Sequence, residues 1–287
     1  MSSPDPINVS RTDSMISVLM PVWNGARFID KAIASVVAQT RSEWELLIVD
    51  DGSTDDSLAR TERWKDLVNN HFGEEKIRVF STGLANSGPQ VGRNMLAPKA
   101  RYDIFAYLDQ DDLYFPRRIE SLLSLFDRYD IVFAPYEILE KGRISLWNLR
   151  GLWERQSYVC SSEGDREPSF EKWAHSLAQR QEVSVPLGAA NRRALFDKVG
   201  GFQPGIVSGA SGVLWRRMAG RGARIGFCPV ITGRYNVRPD SQARTRRPFS
   251  TGGYELDKNH PLGSNGQYLD AEWFADLEKK RKGKETE

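Results

Sequence analysis

The fold is decided by the stretch Ile104-Phe105-Ala106-Tyr107-Leu108-Asp109-Gln110-Asp111-Asp112. Apolar residues of strand length run directly into three carboxylates, which concentrates negative charge at the end of a strand. Such charge is costly unless a cation or hydrogen-bond donors balance it. Hard oxygen ligands on a short turn suit Mg²⁺ or Mn²⁺, which often bind together with substrate phosphates. The stretch therefore predicts a strand that ends at a metal-assisted site, and a surface turn of solvated aspartates is the alternative.

Strand-like and helix-like stretches alternate through residues 15–136. The predicted strands are residues 16–20, 45–49, 77–80, 104–108 and 131–134, and the predicted helices are residues 28–39, 57–68, 91–99 and 117–126. This alternation predicts an α/β fold in which helices cover a mostly parallel sheet and ligands bind at the carboxyl ends of its strands. The polar clusters Trp23-Asn24-Gly25, Asp50-Asp51-Gly52-Ser53 and Asp109–Asp112 follow predicted strands. We therefore expect the three clusters at one edge of one sheet.

Residues 137–245 have a less regular pattern. It predicts strands at residues 183–190 and 224–230, helices at residues 192–199 and 211–221, and a loop at residues 161–168. Gly200-Gly201 after the first of these helices is typical of a left-handed cap. Further along, the spacing of Leu269, Trp273 and Leu277 predicts a packed helix over residues 269–280.

The composition is typical of a globular protein. The 287 residues are 40% hydrophobic and 27% charged, and a net charge of +2 argues against a nucleic-acid partner. Cys160 and Cys228 form neither a disulfide framework nor a metal spacing, and three scattered histidines argue against a zinc site. Residues 1–14 read as a flexible polar tail without a secretory signal, and no stretch approaches the roughly 20 apolar residues of a membrane span. We therefore expect a cytoplasmic location.

Four motifs occur in order along the chain: residues 16–25, residues 47–55, Asn86-Ser87-Gly88 with Arg93-Asn94, and Leu108–Asp112. This set resembles family 2 glycosyltransferases of the GT-A fold, with weaker similarity over residues 185–245. The resemblance implies transfer of a sugar, with inversion, from a nucleotide-diphosphate donor, above all a UDP-sugar, to a saccharide or lipid-linked acceptor. It implies one Rossmann-like sheet, a nucleotide-sugar-binding half at 15–136 and an acceptor-side half at 137–245 of the same domain. Residues 246–287 would form a loop, a helix and a basic tail.

The resemblance also implies that five residues bind the donor: Pro21, Trp23, Asp51, Arg93 and Asp109. Trp23 offers a flat face on which uracil can stack, and a half-buried core residue is the alternative. Asp51 is expected to accept the imide N–H of uracil, and Asp50 to hold its turn by binding backbone donors. Arg93 either contacts the base or ribose or pairs with one of the aspartates.

Asp109 and Asp111 are the metal ligands that the resemblance implies, with Mn²⁺ or Mg²⁺ neutralising the leaving nucleoside diphosphate. Asp112 is expected to support them or to begin the next helix, where a negative charge is favourable. Similar enzymes often have a histidine near Arg238, so a third protein ligand is open, and His260 is a candidate only by elimination.

The catalytic base is the point at which the chain departs from the family pattern. Similar enzymes have a Glu-Asp pair just before an apolar helix, and here Ala210 and Ser211 precede Leu214-Trp215 at those positions. Alanine cannot accept a proton, and a serine hydroxyl without a partner base is too weakly basic, although Ser211 can cap the helix.

Three explanations of this departure are open. The first is that the alignment with the family is off by several residues and another acid serves as the base, the candidates being Asp197, Glu182 and Asp240. The second is that the acceptor is activated in another way. The third is that the chain is a catalytically weakened relative or an engineered variant that still binds the donor. The third is favoured because Gly200-Gly201-Phe202 and Leu214-Trp215 fix the register.

Five arginines crowd one segment: Arg234, Arg238, Arg244, Arg246 and Arg247. Guanidinium groups suit diphosphates, so the segment predicts donor contact or attraction to an anionic lipid, and a solvated basic stretch is the alternative. With the basic residues 279–284, it predicts peripheral contact with the inner face of a membrane as an option. A non-catalytic nucleotide-sugar-binding pseudoenzyme or scaffold partner is the competing function. Nucleotidyl transfer is disfavoured because a glycine-rich, basic phosphate loop does not follow the first predicted strand.

Overall fold

The computed structural model describes residues 15–146, 185–206 and 209–238. Predictions for residues 1–14, 161–168 and 246–287 lie outside the described residues. So do these candidates: Glu182, Asp240, Arg244, Arg246, Arg247 and His260.

Strands and helices alternate along the described chain. The strands are β1 (Ile16–Val22), β2 (Trp44–Asp50), β3 (Ile77–Ser81), β4 (Ile104–Tyr107), β5 (Leu113–Tyr114), β6 (Ile131–Phe133), β7 (Glu137–Glu140), β8 (Arg143–Leu146), β9 (Ala189–Arg192), β10 (Ile225–Phe227) and β11 (Gly233–Val237). The helices are α1 (Ile29–Val37), α2 (Ser57–Phe72), α3 (Pro89–Leu96), α4 (Arg118–Leu123), α5 (Arg193–Val199) and α6 (Ala210–Ala219). Single 3₁₀ turns lie at Ala97–Lys99 and Pro186–Gly188.

A seven-stranded central sheet has the order β10-β6-β9-β4-β1-β2-β3. All of its neighbouring pairs are parallel except those made by β9, which runs antiparallel to β4 and β6. The predicted mostly parallel sheet is therefore confirmed. The structure adds a second sheet of order β5-β11-β7-β8 to the one sheet that the sequence predicts.

Both faces of the central sheet are buried, so the structure has three layers. Along β1, Val18 and Met20 belong to one apolar cluster and Leu19 to the other, because successive side chains point to opposite faces. Residues of α1 and α4 pack in the first cluster, and residues of α3, α5 and α6 in the second. Strands buried on both faces explain why the sequence reads as continuous apolar runs.

Two predicted elements of the second half have different bounds in the structure. The strand expected at residues 183–190 begins only at Ala189, after the 3₁₀ turn that starts at Pro186, because proline has no backbone N–H for a sheet ladder. The helix expected at residues 211–221 starts one residue earlier, at Ala210. The left-handed cap of α5 is confirmed, with φ of 73° at Gly200. Among the residues that the structure describes, none of the helices is both long and apolar enough to cross a bilayer.

Helix α3 packs closely against the central sheet at Gly92. A Cβ built there would lie 2.9 Å from Val49 Cγ1 and 3.2 Å from Pro21 Cβ. This contact sets the height of α3 above the ends of β1 and β2. Because Gly92 has no side chain, α3 can lie this close to the sheet, and the next residue, Arg93, is held at the carboxyl edge.

Replacing Gly92 by valine should lower the free energy of unfolding by about 1–3 kcal/mol, the usual cost of overpacking a filled core. Urea unfolding monitored by circular dichroism measures this change. Gly220→Val is the control, because a Cβ at Gly220 meets its nearest atom only at 3.4 Å. Equal losses in the two variants would show that helix propensity, and not close packing, sets the effect.

Candidate active site

The carboxyl ends of β1, β2 and β4 lie side by side at one edge of the central sheet. In the parallel register Val22 stands opposite Asp50, and Leu19 stands opposite Tyr107. The Leu108 amide donates to the Leu19 carbonyl over 3.2 Å, which continues the pairing to the start of the acidic turn. The expectation that the three polar clusters share one edge is confirmed.

The Asp50 side chain holds the turn after β2, as predicted. Its Oδ2 accepts hydrogen bonds from the amides of Gly52 at 3.2 Å and Ser53 at 3.1 Å. Gly52 has a φ of 76°, and an added Cβ would lie 2.3 Å from the Leu84 carbonyl oxygen. The turn therefore requires glycine at this position.

The Asp51 carboxylate is buried and binds three donors of the protein. Its Oδ1 accepts from Thr82 Oγ1 at 2.9 Å and Ser87 Oγ at 2.6 Å, and its Oδ2 accepts from the Gly88 amide at 2.8 Å. Burial raises the pKa of Asp51, and these hydrogen bonds oppose the rise. The carboxylate thereby ties β2 to the loop before α3. Its predicted contact with uracil would use the acceptor capacity that these three bonds leave.

Gln110, between the two aspartates, joins the acidic turn to the end of β1. Its Oε1 accepts from the Trp23 amide at 2.8 Å, and its Nε2 donates to the Trp23 carbonyl at 2.9 Å. Gly25 leaves room for this side chain, because an added Cβ would lie 2.2 Å from Gln110 Oε1. The Trp23 backbone is therefore held while the residue remains 40% exposed. That exposure favours the stacking interpretation over the core interpretation.

Arg93 forms an ion pair with Asp109. Of the two options that the sequence left open for Arg93, this is the pairing with an aspartate and not the contact with the base or ribose. Its Nη2 makes an ion pair with Asp109 Oδ1, and the guanidinium lies over the Phe202 ring, 5.3 Å from the centroid. The Arg93 side chain is 2% exposed and that of Asp109 is 29% exposed. Asn94 fixes the same segment through two hydrogen bonds with the Phe202 backbone, of 2.7 and 2.8 Å. Arg93 is thus a buried partner of an aspartate that faces the open edge.

Arg238, just after β11, pairs with the other predicted metal ligand. Its Nε lies 2.6 Å from Asp111 Oδ2, and its guanidinium lies over the Phe28 ring, 4.7 Å from the centroid. Burial and the nearby Asp109 carboxylate raise the pKa of Asp111, whereas Arg238 lowers it. The neighbouring Arg234 takes no part in this pairing and binds Glu137 at 2.9 Å.

Asp112 connects the acidic turn to the second sheet and does not begin a helix, because β5 follows it directly. Its Oδ1 accepts from the Asn236 amide at 3.0 Å, and Asn236 Nδ2 also donates to the Asp111 carbonyl. Burial, with the Asp111 and Asp109 charges, raises the pKa of Asp112 well above its usual range. The expectation that it starts the next helix is therefore wrong. The sequence carries no signal for its contact with β11, which lies more than a hundred residues away.

The acidic turn offers two carboxylates suited to a divalent cation. Asp109 and Asp111 supply hard oxygen donors, and Mg²⁺ or Mn²⁺ needs only one or two carboxylates where phosphates complete the shell. Within the described ranges, His, Cys, Asp and Glu side chains form no group of three or more suited to a metal. The residues fit a cation that shares its coordination with a diphosphate, and each carboxylate already has an arginine partner.

Helix α6 begins at the same edge of the sheet. It leads into β10, which is parallel to β6, so the end of α6 lies toward the amino edge and its start toward the carboxyl edge. Trp215 packs against Tyr107, at 5.7 Å, and against Phe133, at 6.0 Å between ring centroids. The first turn of α6, with Ala210 and Ser211, therefore lies toward the carboxyl edge of the sheet, and the catalytic position that the resemblance implies for these two residues stays a prediction.

Ser211 does not cap α6, contrary to the expectation. The helix starts at Ala210 with Gly209 as its N-cap, in a left-handed conformation with φ of 77°. Ala210 and Ser211 are 5% and 4% exposed. Both side chains therefore lie in the first turn of the helix and are packed against the protein.

Asp197, one of the alternative bases, lies away from the acidic edge. It faces Arg193 at 3.5 Å on α5, and Arg193 binds the carbonyls of Ala100 and Asp103, which precede β4. Residues before a parallel strand lie at its amino edge. The structure therefore gives Asp197 no role at the carboxyl edge.

The Gln110 bridge makes a prediction that needs no ligand. Gln110→Ala removes both hydrogen bonds to the Trp23 backbone, one of which is made by the amide. Exchange of the Trp23 amide with deuterium should therefore accelerate about fivefold, since such a bond contributes ~1 kcal/mol. Hydrogen–deuterium exchange with peptide mass spectrometry measures it. Gln39→Ala is the control, because Gln39 bridges Ser35 and Phe115 elsewhere. Unchanged exchange at Trp23 in Gln110→Ala would contradict the assignment.

Comparison with known sequences identifies relatives of this chain. The model of the family "Glycosyl transferase family 2" matches residues 17–199. An uncharacterized glycosyltransferase of Rickettsia felis is 35% identical over 134 residues, 46% of this chain and 21% of that protein. The Escherichia coli UDP-Glc:alpha-D-GlcNAc-diphosphoundecaprenol beta-1,3-glucosyltransferase WfgD is 31% identical over 134 residues, 46% of this chain and 49% of that protein. The chain thus spans less than half the length of these two relatives.

Solved structures share the fold at low sequence identity. S. aureus TarS 1–349 in complex with UDP-GlcNAc has a TM-score of 0.58 at 17% identity, over 82% of this chain and 62% of that one. The mannosyltransferase PcManGT from Pyrobaculum calidifontis, in complex with GDP-Man and Mn²⁺, has a TM-score of 0.56 at 17% identity, over 84% of this chain and 63% of that one.

Proposed function

Because the chain belongs to glycosyltransferase family 2, we propose that it transfers a sugar from a nucleoside diphosphate donor to an acceptor hydroxyl. The predicted GT-A fold is confirmed. One observation carries the proposal: the exposed Trp23, the buried Asp51 and the acidic pair Asp109 and Asp111 meet at one sheet edge.

A UDP-sugar is the donor that this edge supports best. Trp23 presents an exposed ring from a fixed backbone, and Asp51 keeps acceptor capacity for an imide N–H. TarS binds UDP-GlcNAc, whereas PcManGT binds GDP-Man, so the fold itself admits either nucleotide. The acceptor we propose is a saccharide or a lipid-linked saccharide, in polysaccharide assembly, because WfgD acts on a diphosphoundecaprenol-linked sugar.

Asp109 and Asp111 are the residues that would hold Mn²⁺ or Mg²⁺. Such an ion supplies positive charge to the diphosphate leaving group. Arg93 orients Asp109 from the buried side, because its guanidinium is fixed against Phe202. The side chain of Gln110, between Asp109 and Asp111, binds the backbone of Trp23 and is not available to the cation. It thereby joins the two carboxylates to Trp23, the residue that we propose stacks on the nucleobase.

The transfer that we propose proceeds by inversion. The acceptor oxygen forms a bond to the anomeric carbon, the bond from that carbon to the phosphate oxygen breaks, and the nucleoside diphosphate leaves. The acceptor proton must go to a base. The start of α6 faces the carboxyl edge, but Ala210 has no proton acceptor and Ser211 has only a hydroxyl. We therefore propose donor binding with slow transfer.

A non-catalytic donor-binding protein is the second candidate. The observation in its favour is the same pair, Ala210 and Ser211, in a helix whose packing is intact. A panel of nucleotide sugars with Mn²⁺ separates the two functions. Binding heat together with nucleoside diphosphate release in the presence of acceptor supports the enzyme, and binding heat alone supports the second candidate.

Trp23→Ala should weaken UDP binding by ~1–3 kcal/mol, the range for stacking of a base on an aromatic ring. Isothermal titration calorimetry with UDP and Mn²⁺ measures it. Trp64→Ala is the control, because Trp64 binds Asp30 between α1 and α2. If Trp23→Ala binds UDP as the native chain does, the stacking role is wrong.

Ser211→Asp should raise the rate of sugar transfer by about 10²–10⁴, the range that a general base supplies. The first turn of α6 stabilises the ionised carboxylate that accepts the proton. Initial rates of nucleoside diphosphate release with acceptor, less release without acceptor, measure the change.

Ser211→Asn is the matched control, because asparagine has the shape of aspartate but no basic carboxylate. The rate of sugar transfer of this variant should equal that of the native chain. A native chain that already transfers rapidly, with no gain in Ser211→Asp, would place the base outside α6. Circular dichroism of both variants checks that the buried substitution leaves the fold intact.

A further inference from the structure

The two predicted metal ligands have arginine partners of different character. Arg93, which binds Asp109, lies in α3 with a side chain that is 2% exposed. Arg238, which binds Asp111, follows the last residue of β11 and has a side chain that is 23% exposed. The first guanidinium is part of the core, and the second lies at the surface of the acidic edge.

Asp111 depends on Arg238 for charge balance. The Asp111 side chain is 13% exposed, and the Asp109 carboxylate adds negative potential beside it. Leaving a buried carboxylate without a partner is costly. The guanidinium thus supplies positive charge at Asp111 Oδ2, one of the oxygens suited to a divalent cation.

A guanidinium and a divalent cation cannot both take close contact with that oxygen at full strength. Two positive charges this close together repel each other strongly at the effective dielectric constant of a protein, so the guanidinium and the cation compete for the carboxylate. A diphosphate that enters with a cation brings new negative charge for which guanidinium groups are well suited.

We propose that Arg238 is an exchangeable counter-ion of Asp111. It neutralises Asp111 while the site holds no donor, competes with Mn²⁺ or Mg²⁺ for this carboxylate, and moves to the diphosphate when donor and cation bind together. The inference deepens the proposed function and rests on it for the diphosphate. The competition with the cation rests only on Arg238 and Asp111.

Arg238→Gln should bind Mn²⁺ about tenfold or more tightly than the native chain in the absence of nucleotide. Electron paramagnetic resonance of free Mn²⁺ during titration measures the dissociation constant. Arg238→Lys keeps the positive charge and should stay within about threefold of the native value. Arg234→Gln is the matched control on the same strand, because Arg234 pairs with Glu137, and it should bind Mn²⁺ as the native chain does.

A second arm tests the diphosphate. With Mn²⁺ at a concentration that saturates every variant, Arg238→Gln should bind UDP about tenfold more weakly than the native chain, whereas Arg234→Gln should not differ from it. Thermal unfolding of each variant confirms that the fold is retained.

Several results would overturn the inference. Native Mn²⁺ affinity in Arg238→Gln, weaker Mn²⁺ binding in that variant, or an equal gain in Arg234→Gln would each show that Arg238 does not compete at Asp111. If UDP binds while Mn²⁺ affinity is unchanged, the inference fails and the proposed donor function stands. If Mn²⁺ binding tightens as expected but UDP does not bind, the competition stands and the proposed donor function fails.

Discussion

The balance of negative charge on the turn from Asp109 to Asp112 is the constraint on which the rest of the site depends. Three carboxylates within four residues repel one another, and each is stabilised by an ion pair or a hydrogen bond from another part of the chain. Arg93 of α3 forms an ion pair with Asp109, and Arg238 after β11 forms one with Asp111. The backbone of β11 donates a hydrogen bond to Asp112. The remaining residue, Gln110, is neutral and binds the end of β1. Balancing one turn therefore brings three separate parts of the chain to the same edge.

This constraint explains why a small second sheet accompanies the central one. β5 leaves the acidic turn directly and pairs with β11, so Asn236 and Arg238 arrive beside Asp111 and Asp112. Asp112 is wholly buried, and burial with two neighbouring carboxylates raises its pKa. The second sheet thus belongs to the electrostatics of the site as much as to the packing of the fold.

Local patterns predicted β1, β2, β4 and β6 of the central sheet well, because these strands are mostly apolar and are bounded by polar turns. The short strand β9 ends in Asn191 and Arg192, and its bounds were not predicted. The edge shared by Trp23, Asp51 and Asp109 followed from the parallel register alone. Three contacts of the acidic turn could not be predicted in this way, because each joins residues that are far apart in the sequence. Gln110 and Trp23 are separated by 87 positions, Asn236 and Asp112 by 124, and Arg238 and Asp111 by 127. The short strands β7, β8 and β11 are partly exposed and carry no continuous apolar run, so their pairing depends on tertiary contacts that periodicity does not encode.

Helix α6 shows how packing and chemistry can be separated in this fold. Trp215 packs against Tyr107, Phe133 and Phe202, three rings from three different elements. Truncating such a buried ring typically costs ~3–5 kcal/mol, so these contacts determine where the helix lies. Ala210 and Ser211 lie one turn earlier, where the left-handed Gly209 starts the helix without a capping side chain among the described residues. The position and direction of α6 therefore do not depend on an acid at its start. Alanine and serine can therefore occupy the first turn of α6 while the helix and the acidic edge keep their geometry.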